Sequence, residues 1–450
     1  LFFKGRRGSG LPGGRQAYAD KSLETRYDFE KYRYTYRLWG RLGYNPDADP
    51  EVWRRALRQD FGPAALAVEQ ALASASRVLP LFTLVHGISA DCVRYWPEIY
   101  TNMPIADEAR APSFMDTRAP KLFGNASPFD PQLFQSPWEC GDALVAGKAT
   151  GKYSPLEAAQ WLEALAETAG SQLDQARGQL GAAAGRPEFR RLEEDVLIQR
   201  GLALFFAAKL HCAVLWRIHT LTGSPAAGEA AIAVYSKGRD IWAAMAERAK
   251  GVYRQEISYG GSLTSGHWSQ RVAAFDEDLT DLRQRLKNPV MPVKPVDPAA
   301  TARALAIATG PFSRPLASAT HVPAEKFSAG QPLAIAVQVN GSPVRVTLHY
   351  RHLNQAEGWQ SVGLTAQGDS FSGAIPAAYT NPRFALQYYF EIWPGETKAT
   401  LLPPLAADLA NFPYYVVRHA SVPPNDETIS LVFKGRAHQS VELNSFSLIQ

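Results

Sequence analysis

Apolar residues recur at three- and four-residue steps through the region 27–287, which is the spacing of helices that bury one face. The pattern is strongest in four stretches: 154–180, 188–222, 225–250 and 268–287. It predicts an α-helical bundle over 27–287, preceded by an irregular segment, 1–26.

Two signals mark where helices begin. At Asp49-Pro50, an N-cap residue precedes a proline at the first helical position. Ser154-Pro-Leu-Glu157 has the spacing of a capping box. In this motif the serine hydroxyl accepts a hydrogen bond from the backbone N–H of the glutamate, and the glutamate carboxylate accepts one from the backbone N–H of the serine.

Prolines interrupt the helical pattern twice. The first cluster lies in 81–150, which is predicted to be an irregular insertion of short helices and loops within the bundle. The second cluster, six prolines in 288–315, predicts a stiff linker.

Beyond residue 315 the period changes from 3.6 to 2. Val346, Leu348 and Tyr350 alternate with polar neighbours, which indicates a strand with one buried face. Other strands are predicted at 331–339, 359–365, 371–375, 385–393 and 413–418. The short strands predict an antiparallel β-sandwich of immunoglobulin or fibronectin type over 316–420, before a tail, 421–450. The predicted fold class is therefore multidomain α + β.

Composition and charge exclude some partners. Of 450 residues 46% are hydrophobic and 20% are charged, and a net charge of +4 does not indicate a nucleic-acid partner. No apolar run approaches the ~20 residues that cross a bilayer, so no membrane partner is predicted. Cys92, Cys140 and Cys212 are widely spaced, which favours buried thiols and leaves one disulfide open.

Common catalytic motifs are missing from the sequence. It contains no GxSxG, GxGxxG, GxxxxGK[ST] or HExxH, so we predict no cofactor and no metal site. His349 and His352 share a predicted strand but are three residues apart, so they should face opposite sides.

A first candidate site lies in the proline-broken segment Arg94–Met103. Trp96 and Tyr100 offer flat faces for the C–H side of a sugar ring, and Glu98 and Asn102 offer polar partners for its hydroxyls. The alternative is that these aromatic side chains only hold a long loop onto the bundle.

A second candidate site is the strip of aromatic and arginine residues at 27–47. On a helix, Tyr32, Tyr36 and Trp39 fall on one face, and arginines that include Arg37 fall on another. Such a strip is a ligand surface, a seam between domains, or core beside a solvated arginine face.

A glycosidase needs two carboxyl groups about 5–10 Å apart. The sequence offers Glu98 with Asp107 or Glu108, and Asp28 with Glu30. Glu98 is the candidate catalytic residue among them.

Several segments resemble a group of large bacterial glycoside-hydrolase-like proteins, most of them uncharacterised. They are RYDFEKYRYTYRLWGRLGYNPD, YWPEIYTNMPI, FDPQLF, GKYSPLEAAQWLE, GHWSQR and YRHLNQAE. In those proteins a catalytic-type (β/α) barrel precedes a helical region and a β-sandwich. The resemblance covers about 14–420 and implies that this chain corresponds to their C-terminal portion. It implies no catalytic residue here. The strip would then be the seam to the barrel, open to self-association.

Three functional hypotheses follow. The first is a carbohydrate-active protein, or part of one, which contacts an oligosaccharide or polysaccharide. The second is a self-sufficient glycosidase with its acid pair in the helical region, and the third is a non-catalytic interaction module. The compartment is open, and the resemblance implies a secreted or periplasmic protein.

Overall fold

A computed structural model describes most of the chain. The described residues are 17–87, 103–110, 119–255, 257–258, 265–288, 297–314, 318–341, 345–354, 356–381, 384–395, 399–406, 409, 411–420, 433–434 and 440–441. The chain divides into a helical unit of residues 1–38, 49–314 and 407–410, and a sheet unit of residues 39–48, 315–406 and 411–450.

The helices follow the predicted pattern closely. In chain order, α1 to α10 are Asp28–Lys31, Arg33–Tyr44, Glu51–Phe61, Ala65–Val85, Pro137–Ala146, Pro155–Leu180, Pro187–Thr222, Pro225–Ala249, Val272–Leu286 and Pro298–Thr309. Between α8 and α9, Ile257–Ser258 (β1) pairs with Ser265–Gly266 (β2).

Helix α7 is the centre of the helical unit, and α4, α5, α6, α8 and α10 pack against it. Over residues 201–219 nearly every side chain of α7 is buried, as expected for a helix that is surrounded on all faces. Close packing sets the α7–α8 distance: a Cβ at Gly238 of α8 would lie 2.8 Å from the Cβ of Ala208. Helix α7 is long and apolar enough to cross a bilayer, but 83% of its apolar stretch is buried within the protein.

The capping box predicted at the start of α6 is present. Ser154 Oγ accepts from Glu157 N at 3.1 Å, and Glu157 Oε2 accepts from Ser154 N at 3.4 Å. The same carboxylate binds Arg314 through two contacts of 2.8 and 2.7 Å. Arg314 also donates to the carbonyls of Gly151 and Lys152, so one buried pair joins the start of α6 to the chain that follows α10.

The stretch 288–315 differs from the prediction of a linker. It contains α10, which begins at Pro298 after Asp297, whose Oδ1 accepts from Ala299 N at 3.0 Å. The reason is local: Asp-Pro is a helix start, and the alanine-rich run after it has high helix propensity. The number of prolines in the stretch hid this signal.

The described strands of the sheet unit form two larger sheets and one two-stranded sheet. Strands β3 to β14 are Ala319–Thr320, Lys326–Phe327, Leu333–Val339, Arg345–His352, Gln360–Gly363, Thr365–Gln367, Ser370–Ile375, Leu386–Trp393, Thr400–Leu402, Tyr415–His419, Phe433–Lys434 and Ser440–Val441. Strand β13 pairs with β14. One larger sheet has the order β4-β12-β10-β6-β7, with β11 on β10, and the other larger sheet has the order β3-β5-β9-β8. Their facing apolar side chains form one core.

The α + β fold class, with a helical bundle followed by mainly antiparallel sheets, is confirmed. Within the described strands, β4 pairs with β12 in parallel and the other pairings are antiparallel. The likeness to immunoglobulin or fibronectin domains stays a prediction.

The expectation of one buried face is wrong for β6, which is buried on both faces from Leu348 to His352. Strand β10 is likewise buried on both faces for most of its length. The polar residues opposite the core lie against aromatic rings. The His349 ring stacks on Tyr389 with centroids 4.8 Å apart, and the Arg351 guanidinium lies 4.5 Å from the Trp359 ring. The apolar residues of β6 therefore face the core between the sheets, and its polar residues are buried against aromatic rings on the opposite face.

Replacing Ser154 with Ala should lower the free energy of unfolding by about 1 kcal/mol, because Glu157 N then loses its acceptor at the first turn of α6. Ser171→Ala is the matched control, since Ser171 lies in the interior of the same helix and its exposed hydroxyl donates to the carbonyl of Thr168. Denaturant unfolding of both variants measures the difference. Equal midpoints for the two variants would contradict a stabilising role for the cap.

Candidate functional site

The aromatic and arginine strip is exposed rather than core. No residue of α2 is buried, and the exposed fractions of Phe29, Tyr36 and Trp39 are 54%, 45% and 70%. Tyr32, at the break between α1 and α2, is half-buried. Of the three interpretations left open by the sequence, core is therefore wrong for Tyr36 and Trp39.

A concavity of about 490 Å³ lies on the strip, lined by Phe29, Arg33, Tyr36 and Arg37. Arg33 Nη2 binds Asp60 Oδ2 at 2.7 Å, whereas Arg37 forms no ion pair with any residue in the described part of the chain. The concavity therefore combines two exposed rings with one guanidinium group that is available to a ligand.

A buried polar network fixes α1 beneath this surface. Lys31 Nζ lies 2.9 Å from Asp195 Oδ2 of α7 and donates to the hydroxyls of Tyr18 and Tyr253, each at 2.7 Å. Burial lowers the pKa of Lys31, and the charge of Asp195 opposes that shift. Lys31 is thus the inward anchor of the helix that carries Phe29. Sequence spacing could not show it, because Lys31 and Asp195 are 164 residues apart.

The other candidate residues, Trp96, Glu98, Tyr100 and Asn102, lie outside the described residues, as does Cys92. The structure does describe both flanks of that segment. His86 Nε2 lies 2.9 Å from Phe123 O, and Phe123 N donates to Pro104 O at 2.9 Å. The backbone of Phe123 therefore contacts both flanks of the segment, His86 through its carbonyl and Pro104 through its N–H.

The His86 side chain is an uncharged structural group. Its ring stacks on Phe123 with centroids 4.2 Å apart, and burial lowers its pKa to about 4. The neutral ring donates from Nε2 to the Phe123 carbonyl, since the carbonyl can only accept.

A second buried lysine holds the segment after residue 102. Lys209 Nζ donates to Met103 O at 2.9 Å and lies 4.9 to 6.0 Å from the centroids of four rings: Phe123, Phe205, Tyr235 and Phe275. Asp278 Oδ1 accepts from Ile105 N at 3.1 Å and from Arg110 Nη2 at 3.3 Å. Residues 103–105 are therefore fixed by opposite charges from α7 and α9.

Burial sets the protonation of this pair. It lowers the pKa of Lys209 to about 8, an effect that the charge of Asp278 opposes. It raises the pKa of Asp278, opposed by the charge of Lys209. The ammonium group lies among backbone and rings, where its described contact is with the backbone of the segment that follows residue 102.

The proposed carboxylate partners do not form a described acid pair. Asp107 Oδ2 accepts from Arg110 Nε at 2.8 Å, a bond that lowers the pKa of Asp107 and holds it as a carboxylate. A general acid needs the opposite shift. Glu30 Oε2 accepts from Arg26 N at 2.9 Å. Pairing of either carboxylate with Glu98 or Asp28 stays a prediction.

Other side chains singled out by the sequence have structural settings. Cys140 and Cys212 are buried free thiols. Within the described residues, no three His, Cys, Asp or Glu side chains are grouped as a metal site. His349 and His352 do face opposite sides of β6, where they contact Tyr389 and Tyr379.

Comparisons with known proteins give a weak structural likeness and no sequence match. No protein-family model and no curated protein sequence matches the chain. Over 56% of its length the chain is similar to a solved structure described as a GH138 enzyme targeting pectin rhamnogalacturonan II, with a TM-score of 0.45 and 14% sequence identity. The similar part spans 37% of that enzyme. The substrate in that description is a property of that enzyme.

Stability should rise with pH through Lys209. Its pKa is lowered from 10.5 to about 8, so between these values the unfolded chain binds more protons than the folded one. We expect the free energy of unfolding to increase by about 1–2 kcal/mol from pH 8 to pH 10, relative to Lys209→Met, which cannot titrate.

Denaturant unfolding across this pH range measures the effect. Exposed Lys237 on α8 supplies the control, since Lys237→Met should keep the wild-type slope. A wild-type slope equal to that of Lys209→Met would contradict a buried ammonium group at this position.

Proposed function

We propose that the chain is a carbohydrate-active protein, or part of one, that binds an oligosaccharide on its helical unit. The concavity of about 490 Å³ lined by Phe29, Arg33, Tyr36 and Arg37 carries the proposal. Its volume lies within the range of small-molecule sites, about 300–1,000 Å³. The resemblance of the sequence to glycoside-hydrolase-like proteins supports the same class of ligand.

The chemistry of the concavity suits a sugar ring. A pyranose has an apolar C–H face, which packs on exposed rings such as Phe29 and Tyr36, and a rim of hydroxyls that accept hydrogen bonds. Arg37 supplies donors for that rim without first breaking an ion pair to a described residue. Anchoring by Lys31 keeps the surface ordered before a ligand arrives, which lowers the entropic cost of binding.

Tyr36→Ala and Arg37→Ala should each weaken oligosaccharide binding about tenfold, equivalent to ~1.4 kcal/mol. Neither side chain is part of the core, so the melting temperature should stay near that of the wild type. Calorimetric titration with a panel of plant and bacterial oligosaccharides measures both binding and its loss.

The matched control is Phe412→Ala, which removes another exposed aromatic side chain that does not line the concavity. It should leave binding unchanged. An equal loss in all three variants would point to non-specific contact with aromatic side chains and would contradict the site.

The segment with Trp96, Glu98, Tyr100 and Asn102 is part of the proposal as a second sugar contact. Its support is the residue types, together with flanks held by Phe123, Lys209 and Asp278. Trp96→Ala and Glu98→Gln should each weaken binding. If Trp96 is instead a core residue, Trp96→Ala should lower stability by about 3–5 kcal/mol and leave binding unchanged.

A second candidate function, an interaction module, is favoured by one observation. Exposed aromatic side chains continue on α2 past the concavity, with Trp39 and Tyr44 exposed by 70% and 77%. Large exposed apolar surfaces are typical of protein interfaces. Sedimentation velocity of the wild type and of Trp39→Ala distinguishes the two functions, since only self-association gives a species whose size depends on concentration and on Trp39.

A further inference from the structure

Three neighbouring strands of the sheet unit bring a serine, a histidine and a glutamate into one chain of hydrogen bonds. Ser361 on β7 places its Oγ 2.8 Å from His349 Nδ1 on β6. His349 Nε2 lies 3.3 Å from Glu391 Oε2 on β10. Ser361 is exposed, whereas His349 is only 8% exposed. We name these three residues the Ser361 relay.

The partners of the imidazole determine its tautomer. A carboxylate can only accept, so the hydrogen of neutral His349 lies on Nε2, toward Glu391. Nδ1 is then the basic nitrogen and accepts the hydroxyl hydrogen of Ser361. This order of groups is the one by which a histidine removes a proton from a serine nucleophile while a carboxylate orients and stabilises the imidazolium.

The strand register adds a donor beside the hydroxyl. Leu364 N donates to Val346 O, so that pair is hydrogen-bonded and the pairs alternate from it along the ladder. His349↔Ser361 is therefore a non-hydrogen-bonded pair, in which the side chains approach closely and the Ser361 N–H points away from β6. Strand β7 ends its sheet within the described residues, so this N–H faces the sheet edge.

His352, on the same strand, shows what a purely structural histidine looks like here. Its Nδ1 lies 2.7 Å from Glu357 Oε2 and its Nε2 lies 2.9 Å from the backbone carbonyl of Tyr379. Both nitrogens face acceptors, so no nucleophile is attached to the ring. In His349, one ring nitrogen instead contacts the Ser361 hydroxyl, which can donate a proton and act as a nucleophile.

Packing holds the His349 ring in place for this role. The ring is stacked on Tyr389 with an interplanar angle of 15°, and Trp359 meets Tyr389 edge to face at 4.9 Å. Trp359 is half-buried and directly precedes β7, two residues before Ser361, so an aromatic side chain lies close in sequence to the hydroxyl.

We propose that the Ser361 relay is an acyl-transfer site for carboxylic esters with a short acyl group, such as acetyl. Ser361 Oγ attacks the ester carbonyl and its proton passes to His349 Nδ1, while the Ser361 N–H donates to the developing oxyanion. The bond to the alcohol breaks, and His349 gives the proton to the departing oxygen. Water then attacks the acyl-serine, His349 takes its proton and returns it to Ser361, and a carboxylic acid leaves.

The short acyl group follows from the setting of Ser361. Its side chain is exposed on a terminal strand, so a long acyl chain would stay in water and gain little from binding. This inference does not depend on the proposed sugar-binding surface, because the relay lies entirely within the sheet unit.

The test uses the full chain, p-nitrophenyl acetate and a fluorophosphonate probe. The probe forms an Oγ–P bond with an activated serine and loses fluoride, and the proton leaves through His349. We expect mass spectrometry to place the adduct on Ser361, and we expect Ser361→Ala to lower ester turnover about a hundredfold. Ser328→Ala, at another exposed serine of the sheet unit, is the matched control and should keep both signals.

Glu391→Gln tests the positioning residue. It should slow labelling and also move the midpoint of the pH–rate profile to lower pH, because the imidazolium loses its carboxylate; a merely structural role would not move that midpoint. An adduct on another residue, equal turnover in Ser361→Ala, or no adduct on the wild-type protein would each overturn the proposal. Mapping the adduct on the wild-type chain keeps the test valid even if a variant fails to fold.

Discussion

Two buried lysines, Lys31 of α1 and Lys209 of α7, determine how segments of the helical unit pack against helix α7. Asp195 receives Lys31 from α1, and Lys209 reaches the backbone of Met103. Lys209 follows Asp195 by 14 residues, or about 21 Å along the helix at 1.5 Å per residue. A buried charge without a partner is strongly destabilising, so each segment can pack only where its charge or carbonyl meets the matching group.

Hydrophobic burial alone would not give this precision. The apolar surface of α7 drives packing, but the effect is non-directional and many helices could satisfy it. The polar contacts specify which segment packs at each point along α7. The strip at 27–47 adjoins the contact of Lys31 with Asp195, so its ordered surface and the core of the helical unit have the same physical origin.

Local patterns in the sequence predicted where helices and strands lie better than they predicted which side chains those helices and strands bury. The capping box at Ser154 and the periods of α6 to α9 depend on neighbours a few residues apart, and these predictions are confirmed. Helix α10 was missed because nearby prolines obscured a helix start. The second buried layer of β6 and β10 was missed because a polar residue in a strand reads as exposed, although His349 and Arg351 are buried against rings.

The candidate sites show the same limit. Residue types identified the strip, but its exposure depends on what the rest of the chain does not cover. Contacts such as Lys31 with Asp195, or Ser361 with His349 and Glu391, arise only when distant segments or adjacent strands meet. The spacing of residues in a single sequence does not predict contacts of this kind.

The bond between Arg314 and Glu157 also has a mechanical consequence. Arg314 is the last residue of the helical unit before residue 315, and its guanidinium group binds the carboxylate that caps α6. A pulling force applied to the chain beyond residue 315 would therefore have to break the two hydrogen bonds between Arg314 and Glu157 before it could unwind α10. Glu157 lies in the first turn of α6, near the middle of the sequence of the helical unit. The force would therefore act first on α6, and the unit would not unfold progressively from the end at residue 314.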